Sequence, residues 1–166
     1  MPSYTHLAYR RNAKAAARNQ QIKKPKNLES LEKAREDFGY FCDYVADKPP
    51  AFHHQEWNRK FVTNQDSSCL IKIAGPNIDL LAPRGSAKST VLGLLTAWAI
   101  GVHTQAGLPL QVLYLSYTVD IARSKSATIK RIIESKRYQE VFPKVRLLKN
   151  VTSNEYWSID HKFAGI

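Results

Sequence analysis

A chain of 166 residues with a hydrophobic fraction of 43% is long enough for one domain with its own core and too short to add a second catalytic domain to it. Its formal net charge of +11 points to a polyanionic partner, while two cysteines, Cys42 and Cys69, are too few for a zinc framework and fit a reducing, cytoplasmic setting. No apolar run reaches the roughly 20 residues of a membrane span, so no membrane is expected among the partners.

Residues 1–28 contain no Asp or Glu and carry Arg10, Arg11, Lys14, Arg18, Lys23, Lys24 and Lys26. With no apolar stripe to dock, this segment is predicted to be a basic flexible arm. DNA phosphates or an acidic partner are its natural contacts, and a solubilising tail is the alternative. No apolar core follows the basic residues, which excludes a secretory signal. Residues 29–50 are a helical lead-in, in which 29–46 is predicted to be one amphipathic helix stopped by Lys48-Pro49-Pro50.

The next stretch contains Phe52-His53-His54-Gln55-Glu56-Trp57. Adjacent histidines lack metal-ligand spacing, and Trp57 suits a core position as well as it suits stacking on a planar base.

The most informative segment is 80–90, where Leu80-Leu81-Ala82-Pro83 runs into Arg84-Gly85-Ser86-Ala87 and ends in Lys88-Ser89-Thr90. A phosphate-binding loop needs this order, because the turn aims consecutive backbone N–H groups and the start of the next helix at one anionic point. Residues Gly85, Ser86, Ala87, Lys88, Ser89 and Thr90 would then cradle phosphate, with Lys88 on the β- and γ-phosphates and the Ser89 hydroxyl on Mg²⁺. Ala82 and Ala87 stand where the usual pattern has glycines. An alanine at positive φ costs about 1–2 kcal/mol, so the loop either bends differently or carries strain at Ala87. The ordinary reading, a solvated lysine at a helix start, is opposed by the helix dipole.

Residues 90–100 are apolar on nearly every face and predict a buried helix capped by Gly101. Residues 110–117, Leu-Gln-Val-Leu-Tyr-Leu-Ser-Tyr, have the composition and length of a strand. Strand, loop, helix and strand make a βαβ unit with a right-handed crossover. A helix is predicted from Val119 to about Arg137, with Ile121, Ala122, Ile129, Ile132 and Ile133 on one face, and 145–148 and 156–159 are short strand candidates.

Three of these motifs, Leu81–Thr90, Phe52–Trp57 and Leu115–Arg123, resemble in order and spacing the ATPase domain of the large terminase subunit, the motor that packages DNA into the heads of tailed bacteriophages. The resemblance covers roughly residues 38–160. With the βαβ unit it predicts an α/β fold, a P-loop NTPase of RecA-like, ASCE type whose partial parallel sheet is flanked by helices, with 51–166 as an incomplete ATPase domain. It implies ATP and Mg²⁺ as cofactors, Lys88 and Arg84 as the catalytic cations, and Gln55 and Trp57 on the adenine side, with His54 as the alternative to Trp57 for stacking on the base. A guanidinium at Arg84 suits γ-phosphate charge because its rigid fork meets two oxygens. The implied partners are double-stranded DNA, the portal protein, the small terminase subunit and further copies in a ring, with the host cytoplasm, at the procapsid portal, as the place of action.

An ATPase of this class also needs an apolar strand ending in acidic residues. After residue 90 the acids are Asp120, Glu134, Glu140, Glu155 and Asp160, and Asp160 comes nearest to that pattern. The chain therefore reads as the N-terminal part of a terminase, expected to bind ATP weakly and turn it over little by itself. The alternatives are a P-loop module that binds nucleotide or nucleic acid without turnover, or another P-loop enzyme such as a helicase.

Overall fold

The computed structural model describes residues 28–64, 71–73, 79–108 and 110–160. In chain order they form α1 (Leu28–Glu36), α2 (Phe38–Ala46), α3 (Phe52–Phe61), β1 (Val62–Asn64), β2 (Ile71–Ile73), α4 (Lys88–Gln105), α5 (Val119–Glu134), α6 (Lys136–Val141), β3 (Leu147–Thr152) and β4 (Trp157–Ile159). Compactness divides the chain after Ser30, and the packing described below is that of Leu31–Ile166. The seven cations of the basic arm, and Cys69, lie outside the described residues.

Local capping sets the helix boundaries and corrects two predicted helices. The helix predicted over 29–46 is two, because Asp37 adopts extended backbone (φ −115°) and its carboxylate accepts from the Tyr40 N–H at 2.6 Å, starting α2 afresh. The helix predicted over 119–137 also divides. Thr118 caps α5 through the Ile121 N–H, and Ser135 ends it, accepting from the Tyr138 N–H at 3.3 Å and donating to the Ile132 carbonyl at 2.7 Å. Pro143, two residues beyond the end of α6, follows as a stop.

α4 runs on past its predicted end. Gly101 is a buried interior residue of the helix, and the true terminus lies at Gln105. There Gly107 takes positive φ (72°), its N–H meets the Thr104 carbonyl, and the Leu108 N–H meets the His103 carbonyl at 2.9 Å. That paired arrangement satisfies the last carbonyls of a helix.

The core gathers around α4. Trp98 packs on Phe38, Phe41 meets Tyr138 edge-on, and Ile129, Ile133, Val141, Phe142 and Val145 close the cluster. The polar tips of the buried aromatics are satisfied by backbone, as burial requires: Trp98 Nε1 donates to the Ala34 carbonyl at 3.1 Å and the Tyr138 hydroxyl to the Ala97 carbonyl at 2.8 Å. Burial holds the Tyr138 phenol far above its ordinary range. At the edge of the core, Arg35 donates to the Val141 carbonyl, Arg137 to the Tyr44 carbonyl and Asp47, and the Tyr44 hydroxyl to Glu140.

The strands overturn the predicted fold class. β1 pairs antiparallel with β2 and β3 antiparallel with β4, from Leu147 opposite Ile159 to Thr152 opposite Trp157, and no parallel sheet occurs among the described residues. The chain is mostly helical there, so a RecA-like parallel sheet flanked by helices is not its architecture. The two segments assigned to that sheet have no ladder: 79–83 and 110–117 are outside regular structure, with Leu81 95% and Tyr117 97% exposed, and Leu113 and Leu115 exposed beside them. Apolar, β-rich composition suits a pleated, half-buried surface, but a strand forms only where a second strand accepts from its N–H groups and donates to its C=O groups. The short strand candidates near 145–148 and 156–159 do find each other, as β3 and β4. Among the described residues, no helix is long and apolar enough to cross a membrane.

Candidate phosphate site at the start of helix α4

The loop before α4 is shaped by two residues at positive φ. A turn closes from the Ser86 N–H to the Pro83 carbonyl at 3.4 Å, with Gly85 (φ 85°) in the third position that such turns reserve for glycine. Ala87 follows at φ 57°, ψ 18°, so of the two outcomes open there the loop carries strain, at a cost of about 1–2 kcal/mol. As the residue before α4, Ala87 has no side chain to cap the helix, and the first turn contains no acidic residue. The Thr90 N–H is taken by the Ala87 carbonyl at 2.9 Å, which leaves the N–H groups at the very start of the helix without an acceptor inside it. With the helix dipole, they favour an anion at this end. Lys88 is half-buried at the first helical position, while Arg84, Gly85, Ser89 and Thr90 are exposed.

Helix α3 reaches this loop through His54, which the resemblance offers as the alternative to Trp57 for stacking on the base. His54 Nδ1 accepts the N–H of Ala51 at 3.2 Å, and its Nε2 stands 2.8 Å from the Ser86 carbonyl. Because Nδ1 accepts, the ring proton is on Nε2 and is donated to Ser86. A hydrogen bond of this kind contributes about 0.5–1.5 kcal/mol net, comparable with the cost at Ala87. The signal for His54 was available in its position: it is the third residue of a helix, where a side chain reaches back to the N–H before the helix, a place usually taken by Glu or Gln.

The predicted adenine-side residues are placed differently. Trp57 lies partly buried against the core, its ring centroid 5.1 Å from those of both His53 and His54, which are 4.0 Å apart. Gln55 is exposed, and its amide reaches only the Pro50 carbonyl at 3.4 Å. His54, rather than Gln55 or Trp57, joins α3 to the loop.

Behind the loop is a recess of about 60 Å³ with a floor of Phe38, Cys42, Val91 and Leu94 and a rim that includes Lys48, His54 and Thr90. No carboxylate lines it. Burial, reinforced by Asp37 and Asp43, pushes the Cys42 thiol up to about 12, so it stays protonated and is not a nucleophile. Of the acids considered for the hydrolytic role, three have carboxylates with partners of their own. Glu155 and Asp120 both pair with Arg123, Glu140 accepts from Tyr44, and the Asp160 N–H bonds the Arg146 carbonyl at 2.7 Å. Among the described residues, no three His, Cys, Asp or Glu side chains converge as a metal site. No protein-family model, no curated protein and no solved structure matches this chain, and the geometry of the loop carries its functional reading.

Proposed function

We propose that the chain binds the phosphates of ATP at residues 84–90, as the nucleotide-binding part of a DNA-packaging motor of the large-terminase kind. The observation that carries this reading is the pair of positive-φ residues, Gly85 and Ala87, that turn the loop into the uncapped start of α4. Successive N–H groups in such a turn form an anion-binding concavity. The reading rests on this loop and not on a parallel sheet.

In it Lys88 neutralises the β- and γ-phosphates and Arg84, exposed at the tip of the turn, meets the γ-phosphate with its planar fork. Mg²⁺ fits the site only together with the triphosphate, because Ser89 supplies one hydroxyl and Mg²⁺ takes its remaining ligands from phosphate oxygens and water. Gln55 and Trp57 stand on the α3 side, from which the base would be approached. The partners proposed with this function are double-stranded DNA, a portal protein, a small terminase subunit and further copies in a ring, at the procapsid portal in the host cytoplasm.

A second reading, a module that binds nucleotide without hydrolysing it, is favoured by the engagement of Glu155, Asp120 and Glu140 with partners of their own. An oriented water and charge compensation are needed for turnover. Calorimetry with Mg-ATP on folded variants tests the shared part: Lys88→Ala loses most of the affinity and Lys72→Ala, on β2, does not. Equal effects would remove the phosphate assignment. Steady-state ATPase measurements then separate the two readings: a low turnover that Lys88→Ala abolishes supports the motor, and none above the background of that variant supports the module.

A further inference from the structure

His54 spans two backbone groups from different parts of the chain, the N–H of Ala51 and the carbonyl of Ser86. The second contact controls more than the carbonyl. A trans peptide is rigid and planar, with its C=O and N–H pointing in opposite directions, and no described peptide bond is cis. Fixing the Ser86 oxygen toward α3 therefore fixes the Ala87 N–H away from α3.

The same peptide is the one under strain. Rotating the Ser86–Ala87 plane would carry Ala87 from φ 57° into the negative-φ region that alanine prefers. Nothing in the side chain of Ala87 resists that rotation, whereas a glycine there would have no reason to make it. The hydrogen bond from His54 is what opposes it.

We propose that His54 is a positioning residue, holding the Ser86–Ala87 peptide in the orientation that presents the Ala87 N–H to a bound phosphate. The proposal deepens the phosphate-binding reading given above and rests on it. A loop that has lost one flexible glycine is thereby kept in shape from outside, by an imidazole that serves as the start of one helix and the brace of another.

Two substitutions divide the functions of the ring. In His54→Asn the amide oxygen takes the place of Nδ1 and still accepts from Ala51, but the side chain is too short to reach Ser86. In His54→Gln the longer amide accepts from Ala51 and donates to Ser86, and glutamine is at home at this helix position. His54 is partly exposed, and thermal midpoints verify that each variant is folded.

Mg-ATP affinity is measured by calorimetry on the full chain for the wild type, His54→Asn, His54→Gln, Lys88→Ala and the pair His54→Asn with Ala87→Gly. His54→Asn should weaken binding about five- to tenfold, the worth of one hydrogen bond, and His54→Gln should stay within about twofold. In the Ala87→Gly background the same His54→Asn change should cost less than about twofold, because the strain that the brace opposes is gone. Amide exchange at residues 84–88 without nucleotide should quicken in His54→Asn and not in His54→Gln.

Unaltered affinity and exchange in His54→Asn, with Lys88→Ala still impaired, would overturn the positioning role and leave the phosphate site standing. An equal loss from His54→Asn in both backgrounds would overturn it as well, since that is the signature of a general structural contribution. Wild-type affinity in Lys88→Ala would instead bring down the phosphate reading, and the proposal with it.

Discussion

Phe142 lies against the bare Cα of Gly101: a Cβ built there would come within 2.4 Å of Cδ2 and 2.5 Å of Cε2 of the ring. Both residues are buried, so the ring has little room to withdraw. Gly101→Ala should destabilise the chain by about 1–3 kcal/mol through overpacking, although alanine is the better helix former by about 1 kcal/mol. Urea unfolding reads the balance, and a stabilised Gly101→Ala would show that the ring can move.

At Ala87 the opposite substitution is favourable. Ala87→Gly relieves about 1–2 kcal/mol of positive-φ strain and gives back about 0.4–1 kcal/mol through the freer unfolded chain. A net gain of about 0.5–1 kcal/mol in urea unfolding is expected, whereas Ala87→Val should lose stability, because a β-branched residue tolerates φ 57° poorly.

Alkaline pH should expose the buried thiol. Cys42 keeps its proton in the folded chain up to about 12, while in the unfolded chain it ionises near the ordinary value of 9.0. Between those values the folded state binds more protons, so stability falls as pH rises, by at most about 1.4 kcal/mol per pH unit from this group. Below that window the thiol is protonated in both states and contributes no pH dependence. Urea midpoints followed from about pH 8 to 11 should fall more steeply for the wild type than for Cys42→Ala, and parallel slopes would refute the assignment.

Two arginine contacts should differ in weight. Arg137 joins the Tyr44 carbonyl at 3.0 Å and the Asp47 carboxylate from a mostly covered position, and Arg137→Ala should cost about 1–3 kcal/mol. Arg123 pairs with Glu155 and Asp120 in the open, where water and salt screen the charges. Its removal should matter less, and the difference between the two variants should persist at high salt.

The loop was the part of this molecule most open to reading from sequence. A turn around Gly85 and a helix soon after it follow from local chemistry and are found, the helix beginning two residues earlier than its apolar run, and of the two outcomes open at Ala87 the strained one occurs. Helix breaks at Asp37 and Ser135 were missed because each lies within a continuous apolar pattern and acts through its own short side chain. The parallel sheet was misread for a different reason. Residues 110–117 have the composition of a buried strand, but pairing belongs to two segments at once, and no partner is legible in either one. Gly101 shows the same limit, since a glycine near an expected helix end reads as a cap until the ring opposite it is seen.

The contacts that close the core join distant parts of the chain: Trp98 to Ala34 across 64 residues and Arg35 to Val141 across 106. During synthesis, Phe41 emerges with its neighbour Tyr138 on α6 still unmade, for roughly the 5–20 s that a further ~100 residues require. Loop closure over such distances is slow relative to helix formation. The α1–α2 segment is thus an apolar surface waiting for its cover, and a nascent chain halted before Phe142 is the form most in need of a chaperone.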